Sequence, residues 1–181
     1  MSAEELAWKE LRESLESRGH DATNLPPADK DALKRLSDSL GRPIPTALCN
    51  LYSITQGLTF SGYLPDMEDQ GNCTFSLLTV EQIEEWDSIL SEGVPSGFLG
   101  KFAPHLLRVI FVASDCGCVW NRGWTPFATD GMGNIQFFAK GLLGGVFQYN
   151  HESFMVKRCA SSISRYLLDT AAGIRQGSLK A

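Results

Sequence analysis

The chain has 181 residues, of which 43% are hydrophobic and 20% charged, and its formal net charge is −5. That is enough apolar material for one well-packed domain, and the charge balance disfavours a nucleic-acid ligand, which needs a basic face to neutralise phosphates. No apolar run approaches the roughly 20 residues that span a bilayer, and Met1-Ser2-Ala3-Glu4-Glu5 has neither a basic leader nor an apolar signal core, so a cytoplasmic protein without membrane association is expected. Five irregularly spaced cysteines fit free thiols better than a disulfide framework.

Ser2 and Glu5 form a capping-box pattern, and Trp8, Leu11 and Leu15 recur at helical spacing, so a helix is predicted over residues 3–18 with Gly19 as its stop. Pro26 and Pro27 suit the start of a second helix, whose buried stripe is Leu33, Leu36 and Leu40 and whose stop is Gly41. After the extended Pro43-Ile44-Pro45, a third helix starts at Thr46, turns Leu48, Leu51 and Tyr52 inward, and stops at Gly57. The stretch that follows, with Gly62, Pro65 and Gly71, reads as a surface loop, and Phe75 to Leu78 as a short strand. Thr79 and Gln82 make another capping box. It opens a helix to about Leu90, with Val80, Ile83 and Trp86 facing in and Glu81, Glu84, Glu85 and Asp87 facing water.

Residues 93–104 are punctuated by glycine and proline, and Leu107 to Ala113 has strand character. From Val119 to Phe138 the pattern is strand, tight turn, strand: Trp120 and Trp124, then Pro126-Phe127-Ala128, the turn Asp130-Gly131-Met132-Gly133-Asn134, and Ile135-Gln136-Phe137-Phe138. This is the expected central hairpin. Strands at Val146 to Tyr149 and Phe154 to Val156 follow, then a helix capped by Ser161 that carries Ile163, Tyr166, Leu167 and Ala171 and closes at Gly173. Helices, strands joined by hairpin-like turns and a final helix make an α+β domain: a central, mostly antiparallel sheet with helices packed around it.

Catalytic constellations are thin. Cys116-Gly117-Cys118 does not have the usual C-x-x-C spacing of a zinc site, and few histidines are on offer as further ligands, namely His20, His105 and His151. The turn at Asp130 to Asn134 is followed by a strand rather than a helix, so it is no phosphate cradle. Asp115, Asp130 and His151 leave a small hydrolase as an alternative. No metal or other cofactor is expected. Charge is informative through its distribution: residues 43–100 contain no lysine or arginine but hold Asp66, Glu68, Asp69, Glu81, Glu84, Glu85, Asp87 and Glu92. Such a window is either a solvated surface or a contact for a basic protein partner.

Trp124-Thr125-Pro126-Phe127-Ala128-Thr129-Asp130-Gly131-Met132-Gly133-Asn134 resembles the Trp-Pro, Asp-Gly-x-Gly-Asn turn of the Smi/Knr-type proteins of the SUKH superfamily. In the same order, Ile44-Pro45 with Leu48 to Gly57, Val109 to Trp120, Gly145 to Glu152 (including His151) and Ala160 to Ile163 are similar to further pieces of that family. The resemblance covers about residues 43–172, leaving 1–42 as an N-terminal helical extension and 173–181 as a loose tail. It departs from the family at Gln136-Phe137-Phe138-Ala139-Lys140, where an acidic stretch is common. It implies a non-enzymatic α+β protein that works by protein contact. In bacteria that means an immunity protein binding a polymorphic toxin, often a nuclease, and in fungi a regulator of cell-wall synthesis. The expected reading is an immunity protein for a basic cognate toxin, with a regulatory scaffold as the alternative. Asp66, Glu68, Asp69, Glu81, Glu84, Glu85 and Asp87 are its expected contacts. Trp124, Pro126, Phe127, Asp130, Gly131, Gly133, Asn134, Gly145 and His151 are expected to be structural family-motif positions.

Overall fold

The computed structural model describes residues 1–19, 23–62, 73–92, 123–130, 133–140, 144–150 and 156–176. Expectations for Leu107 to Ala113, Asp115, Cys116, Cys118 and Trp120 lie outside these residues, as do those for Asp66, Glu68, Asp69, Gly131 and His151. Five helices and seven strands are found among the described residues: α1 (Ala3–Ser17), β1 (Thr23–Asn24), α2 (Lys30–Ser39), α3 (Thr46–Tyr52), β2 (Leu58–Gly62), β3 (Cys73–Leu77), α4 (Val80–Glu92), β4 (Trp124–Thr129), β5 (Ile135–Ala139), β6 (Gly145–Tyr149), β7 (Val156–Ala160) and α5 (Ile163–Gln176). The strands form one sheet in the order β1-β2-β3-β4-β5-β6-β7, every neighbouring pair antiparallel. The fold is α+β, and β4–β5 is its central hairpin.

Local chemistry sets the helix ends. Ser2 Oγ accepts from the Glu5 amide at 3.1 Å while Glu5 Oε2 accepts from the Ser2 amide at 3.2 Å, the reciprocal cap expected of α1. α2 begins later than the prolines suggest. Asp29 is its N-cap, with Oδ1 accepting from the Ala32 amide at 2.6 Å, and Pro26 to Ala28 instead run beside residues 52–57. α3 ends at Tyr52 with Ser53 as its cap, not at Gly57. Gly57 sits at the entry to β2, where an added Cβ would meet Leu25 Cδ1 at 2.8 Å. β2 departs from the loop expected there, because Leu58-Thr59-Phe60 is too short a run to show an alternation.

The sheet has two unlike faces. Register places Thr125, Phe138, Val146 and Ala160 on one side. That side belongs to the main core, with Ala7, Trp8, Leu11 and Leu15 of α1, Leu48, Leu51 and Tyr52 of α3, and Ile163, Tyr166, Leu167 and Ala171 of α5. α1 is therefore part of the same core as the sheet. The other face carries Trp124 stacked on Phe137 (ring centroids 4.3 Å apart) and Phe137 on Phe147 (5.7 Å). Tyr149 completes that cluster, with Leu90 of α4 packed against it.

Two departures concern the last helix. Ser162 caps it rather than Ser161, its Oγ accepting from the Arg165 amide at 3.0 Å. Gly173 does not close it: α5 runs to Gln176, Ile174 is buried, and Arg175 forms an ion pair with Glu10 of α1. β7 spans Val156–Ala160; of the strand expected over Phe154 to Val156, Phe154 and Met155 lie outside the described residues.

Candidate protein-binding face

The hairpin motif is built as structure. Asp130 is fully buried, and its Oδ1 accepts from the Asn134 amide at 3.0 Å while its Oδ2 accepts from the Asn134 side-chain amide. Thr129 Oγ1 donates to the Asn134 carbonyl at 3.0 Å, and Gly133 takes φ 99°, a conformation that suits glycine. A register shift between Pro126 and Ala128 sets Phe127 out of the ladder. The Phe127 carbonyl accepts from the Leu78 amide at 2.8 Å, and its ring meets Tyr166 edge-on, centroids 6.0 Å apart. Gly145 has φ 150° and lies so near β7 that a Cβ would sit 2.3 Å from the Ala160 carbonyl oxygen. With its carboxylate committed to holding the turn, Asp130 is poorly placed for acid–base chemistry. Burial pushes the Cys49 thiol up from its ordinary range, which disfavours a nucleophilic thiolate, and pushes the Tyr52 hydroxyl up as well. That hydroxyl donates to the Leu78 carbonyl at 2.7 Å inside the core.

α4 presents polar side chains to solvent. The predicted box is present: the Thr79 amide donates to Gln82 Oε1 at 2.9 Å and the Gln82 amide to Thr79 Oγ1 at 3.3 Å. Val80 and Ile83 are buried and Trp86 partly so. Glu81 and Glu85 are exposed, and Glu84 is half-buried at the margin of the same face.

Asp87 departs from the expectation that it faces water. Its Oδ1 accepts from Arg42 Nη2 at 2.7 Å, and the two side chains are only 13% and 17% exposed. The same Nη2 donates to the Trp124 carbonyl at 2.6 Å, and Nη1 to the Leu40 carbonyl at 3.3 Å. Arg42, just past the end of α2, thereby fastens α4 to the first residue of β4. A cue was present in the sequence: Arg42 is the last basic residue before the window without any.

Glu81, Glu84 and Glu85 differ from most acids of α1 and α5. Glu13 pairs with Lys9 at 3.7 Å, Glu16 with Arg12 at 2.9 Å, Asp169 with Arg165 at 2.8 Å, and Glu10 with Arg175. Glu81, Glu84 and Glu85 have no ion-pair partner among the described residues. Spacings of three and four residues set Glu81 beside Glu84 and Glu85 on the helix surface, where like charges repel. Near them Ile89 is 53% exposed, one of the few large apolar side chains so open to solvent. A groove of about 460 Å³ beside α1 is lined largely by charges that already neutralise one another. Among the described residues no group of three or more His, Cys, Asp or Glu is placed to hold a metal ion, and no helix is long and apolar enough to cross a membrane.

The family model described as SMI1 / KNR4 family (SUKH-1) matches residues 27–169, from just before α2 into α5 and across the whole hairpin motif. No curated protein matches the chain.

Proposed function

The chain belongs to the SMI1 / KNR4 family (SUKH-1), and from that premise we propose that it is an immunity protein that neutralises a cognate toxin by binding it directly. Roles in this family are toxin immunity or Smi1/Knr4-type regulation, and both work through protein contact. The observation that carries the reading is the acidic face of α4: Glu81, Glu84 and Glu85 on a capped helix, in a window without a basic residue and with no ion-pair partner among the described residues. A nuclease toxin must be basic where it grips phosphate, so an acidic inhibitor attracts it, docks on its substrate surface and excludes the nucleic acid. Asp66, Glu68 and Asp69 belong to the same acidic window in sequence and extend the proposed contact.

Protection of cells tests the proposal. The chain is co-expressed with the protein encoded immediately upstream of it, whose expression alone arrests growth if it is a toxin. Restored growth together with a purified one-to-one complex is the expected result. A harmless upstream product, or arrest that persists with the chain present, removes the immunity reading and favours the regulatory one.

A further inference from the structure

We infer that Ile89 is the apolar anchor of the α4 docking face and that its occupant is a protein surface in which an apolar socket is flanked by lysine or arginine; this rests on the immunity reading for the location of the face. Glu81, Glu85 and Ile89 follow one another at four-residue intervals, so they form one stripe about 12 Å long on the outside of the helix. All three are exposed, Ile89 by 53%, while the inward residues Val80 and Ile83 are buried. The anchor and the charges supply different parts of an interface. A desolvated aliphatic side chain gives residence time, and unpaired carboxylates at the rim give steering.

Two features argue for a basic occupant. Glu81 repels Glu84 and Glu85 across one turn, a cost retained in the free protein that a lysine or arginine opposite them would relieve. Asp87 of this helix pairs with Arg42 beside the sheet, whereas Glu81, Glu84 and Glu85 have no ion-pair partner among the described residues. A second copy of the chain docked face to face would bring these same acids together, which disfavours a symmetric self-contact. Arg42 is a positioning residue in this scheme: by holding Asp87 and the Trp124 carbonyl it fixes the rotation of α4 that turns Ile89 outward.

The crosslinking step keeps the full chain and the Ile89 side chain intact. Ser88, exposed beside Ile89, is replaced by p-benzoylphenylalanine in the organism that encodes the protein, with Leu168→p-benzoylphenylalanine on α5 as the control position. The expected result is an adduct at 88, absent at 168, with a protein carrying excess lysine and arginine. Affinity for that purified protein is then measured with Ile89→Ala, a substitution that raises helix propensity and leaves the fold intact. It should weaken binding about tenfold, through faster dissociation and with little dependence on salt. Glu81→Gln/Glu85→Gln should instead slow association, an effect that fades at high salt. Weakening by the glutamine pair with Ile89→Ala within twofold of wild type overturns the anchor and leaves the acidic face standing. No adduct at 88, an adduct with an acidic protein or with a second copy of the chain, or binding indifferent to all three substitutions overturns the anchor together with the face.

Discussion

Replacing Arg42 should loosen α4 selectively. The guanidinium reaches Asp87 at 2.7 Å, the Trp124 carbonyl at 2.6 Å and the Leu40 carbonyl at 3.3 Å, with 17% of its side chain exposed. A fully exposed pair contributes about 0–1 kcal/mol and breaking a fully buried one costs about 3–5 kcal/mol, so this mostly buried pair belongs between them, near 2 kcal/mol. Arg42→Met also leaves the Trp124 carbonyl without this donor, which adds about 1 kcal/mol. A total of about 3 kcal/mol lowers Tm by roughly 6–12 °C for a chain of this size. Asp87→Asn keeps the shape but leaves the guanidinium poorly compensated, for a loss of about 2 kcal/mol. If the two act as one latch, Arg42→Met/Asp87→Asn should cost at least about 1 kcal/mol less than the sum of the singles. Urea unfolding measures these values, and amide hydrogen exchange should show faster opening of residues 80–92 than of α1 and α5. Singles that each cost under about 0.5 kcal/mol and add without coupling would refute the latch and assign the contact to an ordinary surface ion pair.

Three further outcomes follow from the interior. Gly145→Ala forces a Cβ to 2.3 Å from the Ala160 carbonyl in a backbone conformation that L side chains rarely adopt, and should cost at least about 3 kcal/mol in thermal unfolding, with β6–β7 amides losing protection first. Gln136 is fully buried and neither its Oε1 nor its Nε2 has a hydrogen-bond partner among the described residues, so Gln136→Met should stabilise the protein by about 1–2 kcal/mol; destabilisation would mean that the amide is satisfied after all. The Cys49 thiol, raised by burial, remains protonated to higher pH than a free cysteine, so peptide-resolved iodoacetamide labelling at neutral pH should be slower in the folded protein than in urea and should accelerate only at more alkaline pH.

The sequence carried most of the frame. Strong local signals (the Ser2/Glu5 and Thr79/Gln82 boxes, the Leu48, Leu51 and Tyr52 stripe, the glycine-rich turn before Ile135) appear where they were expected, because each satisfies its own backbone groups within a few residues. The hairpin motif also lies within the residues that the family model matches. What local patterns left hidden was decided by distant partners. Gly57 resembles a helix stop until Leu25 is seen against it. Gly173 likewise reads as a stop until Ile174 is found in the core, beside the pairing of Arg175 with Glu10. Asp87 sits among glutamates on an amphipathic helix and reads as one more solvated acid; its role depends on Arg42, which lies 45 residues away. The candidate face was thus legible in charge and period, while the division between acids that point out and the acid that holds the helix required the fold.

The most direct test of the central claim is the association rate of Glu84→Lys/Glu85→Lys with the toxin at low ionic strength, where exposed charges are least screened. Association should be slowed by about tenfold or more, a difference that shrinks as salt is added, with a matching loss of protection in cells. Association and affinity equal to wild type at low salt would contradict it and remove the acidic face of α4 as the binding surface.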